Sequence, residues 1–203
     1  MAVARNDKTD MKHPIRQLEK CWNEARRKKD PVADCLYLAT VDAASAPHVR
    51  TVLIKSIGEN GIGFVTNATG PKAAQMKINS QVEACIHWPK LQIQIRVRGS
   101  VVAMPSETVE ALWKIRPREA QILYGLGIPQ SSPIPSYGYL MKQVLKKAKE
   151  WGSLKTPPRA PNYIGFLIVP ERIEFLYYHS NRLSERHAFE KTPKGWQKII
   201  LAP

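Results

Sequence analysis

The sequence predicts an α+β domain built on an antiparallel sheet or barrel, with helices scattered around it. Three observations predict it: short strand-like runs dominate the chain, amphipathic helical stretches lie between them at irregular intervals, and no internal repeat or low-complexity linker divides them. With 203 residues, 43% hydrophobic and 24% charged, the chain can bury a real core as one domain or at most two, which excludes a disordered tail and a disulfide-stapled miniprotein. The expected division is a flexible N-terminal segment over 1–13 and one domain over 14–203.

Ile15, Leu18, Cys21, Trp22 and Ala25 recur at helical spacing ahead of the basic run Arg26, Arg27, Lys28 and Lys29, which predicts a first helix ending near Asp30 and Pro31. Cys35 to Val41 reads as a strand, Ala46-Pro47 as a turn and His48 to Ile57 as a second strand. Gly58-Glu59-Asn60-Gly61 closes a hairpin onto Ile62 to Thr66. Pro71 suits the first position of a short helix over 71–79, and strand character returns at Val82 to Trp88 and Leu91 to Met104. In that last run, period-two alternation puts Ile93, Ile95 and Val97 on a core face. Gln94, Arg96 and Arg98 fall on the face that meets solvent, a ligand or another subunit.

Ser106 is placed to cap a helix with Glu107 and Glu110 in its first turn, and Arg116-Pro117-Arg118 interrupts the helical segment. Gly125 to Pro135 is a loop. Leu140, Val144, Leu145 and Ala148 mark an amphipathic helix stopped by Gly152, and the proline-rich stretch 157–161 is a stiff connector. Two strands, Tyr163 to Val169 and Arg172 to Tyr178, precede a final one at Trp196 to Leu201.

Cys21, Cys35 and Cys85 are an odd number at wide spacing, which reads as reduced, mostly buried thiols. The polar start MAVARNDKTDMKHP lacks the apolar core of a signal peptide, and no stretch approaches the roughly 18 apolar residues that span a bilayer. A soluble, cytoplasmic protein away from membranes is the expectation.

Lys and Arg number 31 against 17 Asp and Glu, a formal charge of +14, and so basic a chain attracts phosphates, nucleic acid or acidic surfaces. P-loop, dinucleotide-binding, HExxH and GxSxG motifs are absent, and the five histidines are dispersed with no metal-ligand spacing. What stands out is a set of basic and amide residues at strand and loop positions: Arg50, Lys55, Lys72, Gln94, Arg116, Gln130, Ser131, Arg182 and Arg186.

The segments RTVLIK (50 to 55), FVTN (64 to 67), QIRVRG (94 to 99), RPR (116 to 118), QSS (130 to 132), PERIEF (170 to 175), RLSER (182 to 186) and the ending GWQKIILAP, with Lys72, resemble the pyridoxamine 5'-phosphate oxidase family. The resemblance runs in order from about Pro14 to Pro203. It implies an FMN-binding split β-barrel, antiparallel and Greek-key-like with peripheral helices. It also implies a homodimer with flavin mononucleotide (FMN) at the subunit interface. By resemblance, Arg50 and Lys72 supply charge to the flavin phosphate, which is best held by charge-assisted hydrogen bonds. By the same resemblance, backbone groups of Thr51, Val52 and Leu53 line the isoalloxazine, Thr66 and Ser131 offer hydroxyls near the phosphate or ribityl chain, Val65 is a further cofactor contact, and Gln94 and Gln130 offer amides to the polar edges of the flavin. Arg186 is the second flavin-contacting arginine.

The implied reaction oxidises pyridoxamine or pyridoxine 5'-phosphate to pyridoxal 5'-phosphate by hydride transfer to the flavin, with O2 as acceptor. Lys55, Arg116 and Arg182 match the substrate-contacting positions, with Arg182 over the reacting carbon. Several positions depart from the pattern. Pro71 stands where the family has arginine, Leu176 where it has tryptophan, Leu112 and Ala120 where it has tyrosine and serine, and Ser184 where it has histidine. These departures keep open a paralogue acting on another small molecule, as in the phenazine-pathway relatives. A split-barrel protein without flavin is a further alternative. From another class, a basic nucleic-acid-binding protein would use Arg26 to Lys29 and the face of Lys142, Lys146, Lys147 and Lys149. A solvated helix face explains those clusters more simply.

Overall fold

The computed structural model describes residues 13–152 and 157–202; the expected N-terminal segment over 1–13 lies, His13 excepted, outside the described residues. Among the described residues, eight strands form one antiparallel sheet: β1 (Cys35–Val41), β2 (Pro47–Gly58), β3 (Gly61–Asn67), β4 (Gln81–Trp88), β5 (Ile93–Ala103), β6 (Tyr163–Tyr177), β7 (Glu185–Thr192) and β8 (Gly195–Leu201). The order is β3-β2-β1-β4-β5-β6-β7-β8, and a β3–β6 pairing closes the first six into a barrel while β7 and β8 extend one side. Five α-helices among the described residues lie around it: α1 (Pro14–Arg27), α2 (Pro71–Ile78), α3 (Ser106–Lys114), α4 (Arg118–Gly125) and α5 (Tyr137–Trp151). No helix among the described residues is long and apolar enough to cross a membrane.

Alternation fills the barrel as the sequence predicts. Ile93, Ile95 and Val97 point inward with Leu36, Leu38, Ile54, Phe64, Ile86, Ile173 and Phe175, all buried, whereas Gln94 and Arg96 are half-buried and Arg98 is exposed. Helix α1 lays Leu18, Trp22 and Ala25 against this core, and the Trp22 indole donates to Asp34. Asp30 is buried, and its carboxylate accepts from the backbone N–H groups of Val32 (3.0 Å) and Lys90 (2.9 Å), joining the end of α1 to the β4–β5 turn. Asp30→Ala leaves both donors unmet, an expected loss of about 2–4 kcal/mol. It is read as a lower urea midpoint at unchanged m.

The structure corrects several expectations. Helix α1 stops at Arg27, short of Asp30, and Lys29 takes a positive φ of 53°. Strand β5 begins at Ile93 because Pro89–Leu91 forms a 3-10 turn and Gln92 sits at φ 51°. Ser106 does not cap α3: Pro105 holds that position, and the Ser106 hydroxyl accepts from Arg159. The two expected strands around Pro170 are one, β6. Arg98 pairs with Arg172 and Gly99 with Pro170, so Glu171 is the extra residue of a β-bulge. A bulge tolerates the missing proline N–H, and Gly99 lets the Val169 carbonyl approach where a Cβ would clash. Strand β7 was not anticipated, because ERHAFEKT is mostly polar; pairing with β6 buries Ala188 and Phe189. The three cysteines are unbridged as expected, but half-buried rather than buried. Burial, reinforced by Glu24, pushes the Cys21 thiol up to about 12.

Candidate functional site

Strand β2 and helix α2 bring two cations together. Arg50 lies opposite Leu38 on β1, and its guanidinium donates to Gln75 Oε1 (2.9 Å) and to the Thr40 hydroxyl, which itself donates to Gln75 (2.6 Å). Lys72 stands one helical turn before Gln75 on the same face of α2. It is buried to 9% exposure, and its Nζ donates to Gln130 Oε1 at 2.9 Å. Burial holds both cations below their ordinary values, and for Lys72 the charge of Arg50 adds to the effect. Neither forms an ion pair with a carboxylate among the described residues. Two half-desolvated positive charges without a counter-ion make a receptor for an anion.

The surrounding residues are those the sequence singles out. The Gln130 N–H donates to the Thr69 hydroxyl (3.2 Å), and the Gln130 side chain lies over Gly70, the N-cap of α2. Thr66 is buried and Val65 half-buried at the end of β3, leading into a turn that Asn67 closes through Thr69. Ser131 follows Gln130 on the exposed side at φ 69°. On β2, Thr51 and Leu53 face outward while the Val52 side chain enters the core, leaving its backbone beside them. Pro71 occupies the first position of α2, where a missing N–H costs the helix nothing.

A second basic pair lies farther along β2. Ile54 pairs with Phe64 and Ser56 with Gly63, so Lys55 is the extra residue of a bulge, a device that re-aims a side chain. Burial lowers the Lys55 ammonium from its ordinary value, with Arg116 the next cause. Arg116, between α3 and α4, stacks over the rings of Tyr124 (5.0 Å) and Tyr163 (5.4 Å). Its Nε is buried without a hydrogen-bond partner. Beneath it, Trp113 and Tyr163 belong to a second core, and the Trp113 indole donates to the Pro157 carbonyl. Arg50 and Lys55 are five residues apart, about 16 Å along an extended strand.

The remaining predicted residues lie elsewhere. Gln94 on β5, Leu176 on β6 and Arg186 on β7 pair in one row across three strands. Arg186 donates to Glu174 through Nε (2.8 Å) and Nη2 (2.7 Å), and the Tyr178 hydroxyl donates to Gln94 (3.3 Å). Arg182 is exposed in the turn before β7 at φ 61°, its N–H bonded to the His179 carbonyl (3.0 Å). A neighbouring row, Thr51–Tyr37–Cys85–Arg96–Glu174, runs from β2 through β1, β4 and β5 to the Glu174 end of β6, four strand spacings or about 19 Å by that path, while β3 joins β2 to the other end of β6. One chain therefore gathers Arg50, Lys72 and Gln130 around one point and Lys55 with Arg116 around another, and leaves Gln94, Arg182 and Arg186 across the sheet.

Residues 13–105 match the family described as pyridoxamine 5'-phosphate oxidase, FMN-binding domain, and residues 163–203 match the pyridoxine 5'-phosphate oxidase C-terminal dimerisation region. The chain belongs to the pyridoxamine 5'-phosphate oxidase family. Among relatives in this family, the pyridoxine/pyridoxamine 5'-phosphate oxidase of Anaeromyxobacter dehalogenans is 33% identical over 190 residues, covering 94% of this chain and 95% of that one. That of Alkalilimnicola ehrlichii is 36% identical over 166 residues, 82% and 84% of the two chains. PhzG from Burkholderia lata 383, solved in complex with tetrahydrophenazine-1-carboxylic acid, superposes with a TM-score of 0.88 at 22% identity, covering 100% of this chain and 99% of that one. An FMN-binding protein related to this family, from Nostoc punctiforme, gives 0.74 at 20% identity, with 94% and 97% covered.

For a member of the pyridoxamine 5'-phosphate oxidase family, FMN is the group to fit, and the Arg50–Lys72 pair fits its phosphate: two unneutralised cations meet a group of about −1.5 to −2 charges. The sequence reading missed Thr40, Gln75 and Glu174, which orient the arginines, and Tyr124 and Tyr163, which cradle Arg116. Gln75 carried a usable signal in its three-residue spacing from Lys72. Thr40 and Glu174 meet their arginines across a strand pair, Tyr124 from the next helix and Tyr163 from 47 residues on, contacts that depend on register and packing and that no local pattern records.

Proposed function

We propose that this protein is an FMN-dependent oxidase that converts pyridoxamine or pyridoxine 5'-phosphate to pyridoxal 5'-phosphate with O2 as acceptor, acting as a homodimer. The observation that carries this reading is the presence of two separate receptors for anions, each built on a cation of β2, Arg50 with Lys72 of α2 and Lys55 with Arg116, which suit the phosphates of a cofactor and of a substrate. When bound, FMN supplies hydride acceptance at N5 and delivers the electrons to O2. The chain's own part is to hold and orient. Arg50, Lys72, Gln130, Ser131 and Thr66 bind the phosphate and ribityl end, the β2 backbone from Thr51 to Leu53 lines the ring, and Lys55 and Arg116 clamp the substrate phosphate. Gln94, Arg182 and Arg186 lie across the sheet from these groups, which suits a cleft completed by a second copy, and residues 163–203 match a dimerisation region. The basic run that would serve nucleic acid is engaged locally: Arg27 with Glu24 at 2.6 Å, and Arg26 over the Trp22 ring.

A second reading, an oxidase acting on another aromatic anion, is favoured by Leu112 and Ala120. They lie on α3 and α4, each four residues from Arg116 along the chain, and bring no hydroxyl to a phosphate there. The anaerobic absorption spectrum of the FMN-loaded protein separates the readings. Bleaching on addition of pyridoxamine 5'-phosphate supports the first, and a bound flavin that stays oxidised overturns it in favour of the second.

A further inference from the structure

The outer face of β4, β5, β6 and β7 carries a cavity of about 430 Å³ lined by Glu83, Arg96, Arg98, Arg172, Glu174 and Arg186. The carboxylates in and beside it differ in kind. Glu83 and Glu190 are partly exposed and pair with Arg96 and Arg172, whereas the Glu174 side chain is 5% exposed, with three guanidinium groups within 4 Å. A buried carboxylate is costly unless its lone pairs are used, and Arg186 uses them best. Both Nε and Nη2 of Arg186 donate to Glu174 Oε1, at 2.8 and 2.7 Å, while Arg172 and Arg96 stand off at 3.6 and 3.9 Å. This contact is diagonal: Glu174 pairs with Ala188 and reaches across to the next position on its own face of β7.

The consequence concerns direction. A guanidinium is a planar fork, and fixing one edge fixes where the other points. With Nε and one Nη2 hydrogen committed to Glu174, the Nη1 edge is left to donate elsewhere, from a residue that shares a row with Leu176 and Gln94.

We propose that Glu174 is a positioning residue for the flavin site, holding the Arg186 guanidinium so that its free edge is presented to FMN. This rests on the reading of Arg186 as a flavin contact and is tested separately from it. FMN dissociation constants are measured by fluorescence titration of the apoprotein for Glu174→Gln, Arg186→Ala, the double variant and Glu83→Gln, a control that removes the carboxylate paired with Arg96. Glu174→Gln is expected to weaken FMN binding roughly tenfold, and Glu83→Gln to change it less than about twofold. The double variant is expected to bind no more weakly than Arg186→Ala alone, because Glu174 acts only through that arginine. Additive losses, or unchanged affinity in Glu174→Gln beside a weakened Arg186→Ala, overturn the proposal and leave the Arg186 assignment standing. Unchanged affinity in Arg186→Ala overturns both. If Glu174→Gln does not fold, Glu174→Asp, one methylene short of Arg186, is read in the same cycle with the same outcomes.

Discussion

Arg50→Ala and Lys72→Ala are each expected to weaken FMN binding by roughly 10- to 100-fold, and the double variant by more than either. A hydrogen bond to a charged group contributes about 1.5–3 kcal/mol, and about 1.4 kcal/mol corresponds to a factor of ten. Both residues are half-desolvated before any ligand arrives, and no carboxylate among the described residues neutralises them. A phosphate binding there therefore recovers interaction that the folded chain lacks. The losses should shrink at high salt, because part of the attraction is screened. The measurement is FMN retention through gel filtration, then titration of the apoprotein, with thermal melts to establish that each variant folds. Arg50→Ala also strips a donor from the buried Gln75, which keeps Thr40 as its partner, so a modest fall in stability accompanies it. Unchanged flavin content in both single variants would remove the basis for placing the phosphate between β2 and α2.

Arg182→Ala is expected to keep its flavin and lose turnover by roughly 100-fold, the scale on which misplacing a substrate-orienting group acts. The side chain is exposed and its turn is held by backbone, through the His179 carbonyl and an Asn181 carboxamide that accepts from the Leu183 N–H. Removing the guanidinium therefore leaves the loop intact. Its positive φ of 61° is uncommon for a residue with a Cβ, and such strain collects at working positions. Arg182→Gly relieves the strain, so a variant more stable than the parent and equally inactive would separate the conformational cost from the chemical role. Stopped-flow reduction of the bound flavin by pyridoxamine 5'-phosphate is the readout. A rate unchanged in Arg182→Ala would exclude this arginine from the reacting centre.

Two chain segments show where local pattern is sufficient and where it fails. Along β5 the period of two in Gln92 to Arg98 was enough to assign the inward set Ile93, Ile95 and Val97 and the outward Gln94, Arg96 and Arg98, because burial on one face of a strand leaves an alternating record. At Pro170 the same logic broke β6 in two. A proline ends a strand unless a bulge accommodates it, and the residue that pairs with Pro170 there, Gly99, lies 71 positions earlier.

The site divides in the same way. The sequence by itself determined the family and the element order over most of the barrel, and it singled out the basic and amide residues of the candidate site. These are carried by residue identity and short spacing, and each segment holds its own record of them. Only the tertiary structure decided which cations share a neighbourhood, that Lys55 sits in a bulge within reach of the Arg116 charge, that Gln75 and Glu174 orient the arginines, and that Arg186 lies across the sheet from Arg50. Electrostatic coupling and desolvation depend on distances between groups far apart in the chain, and those distances exist only once the barrel has closed.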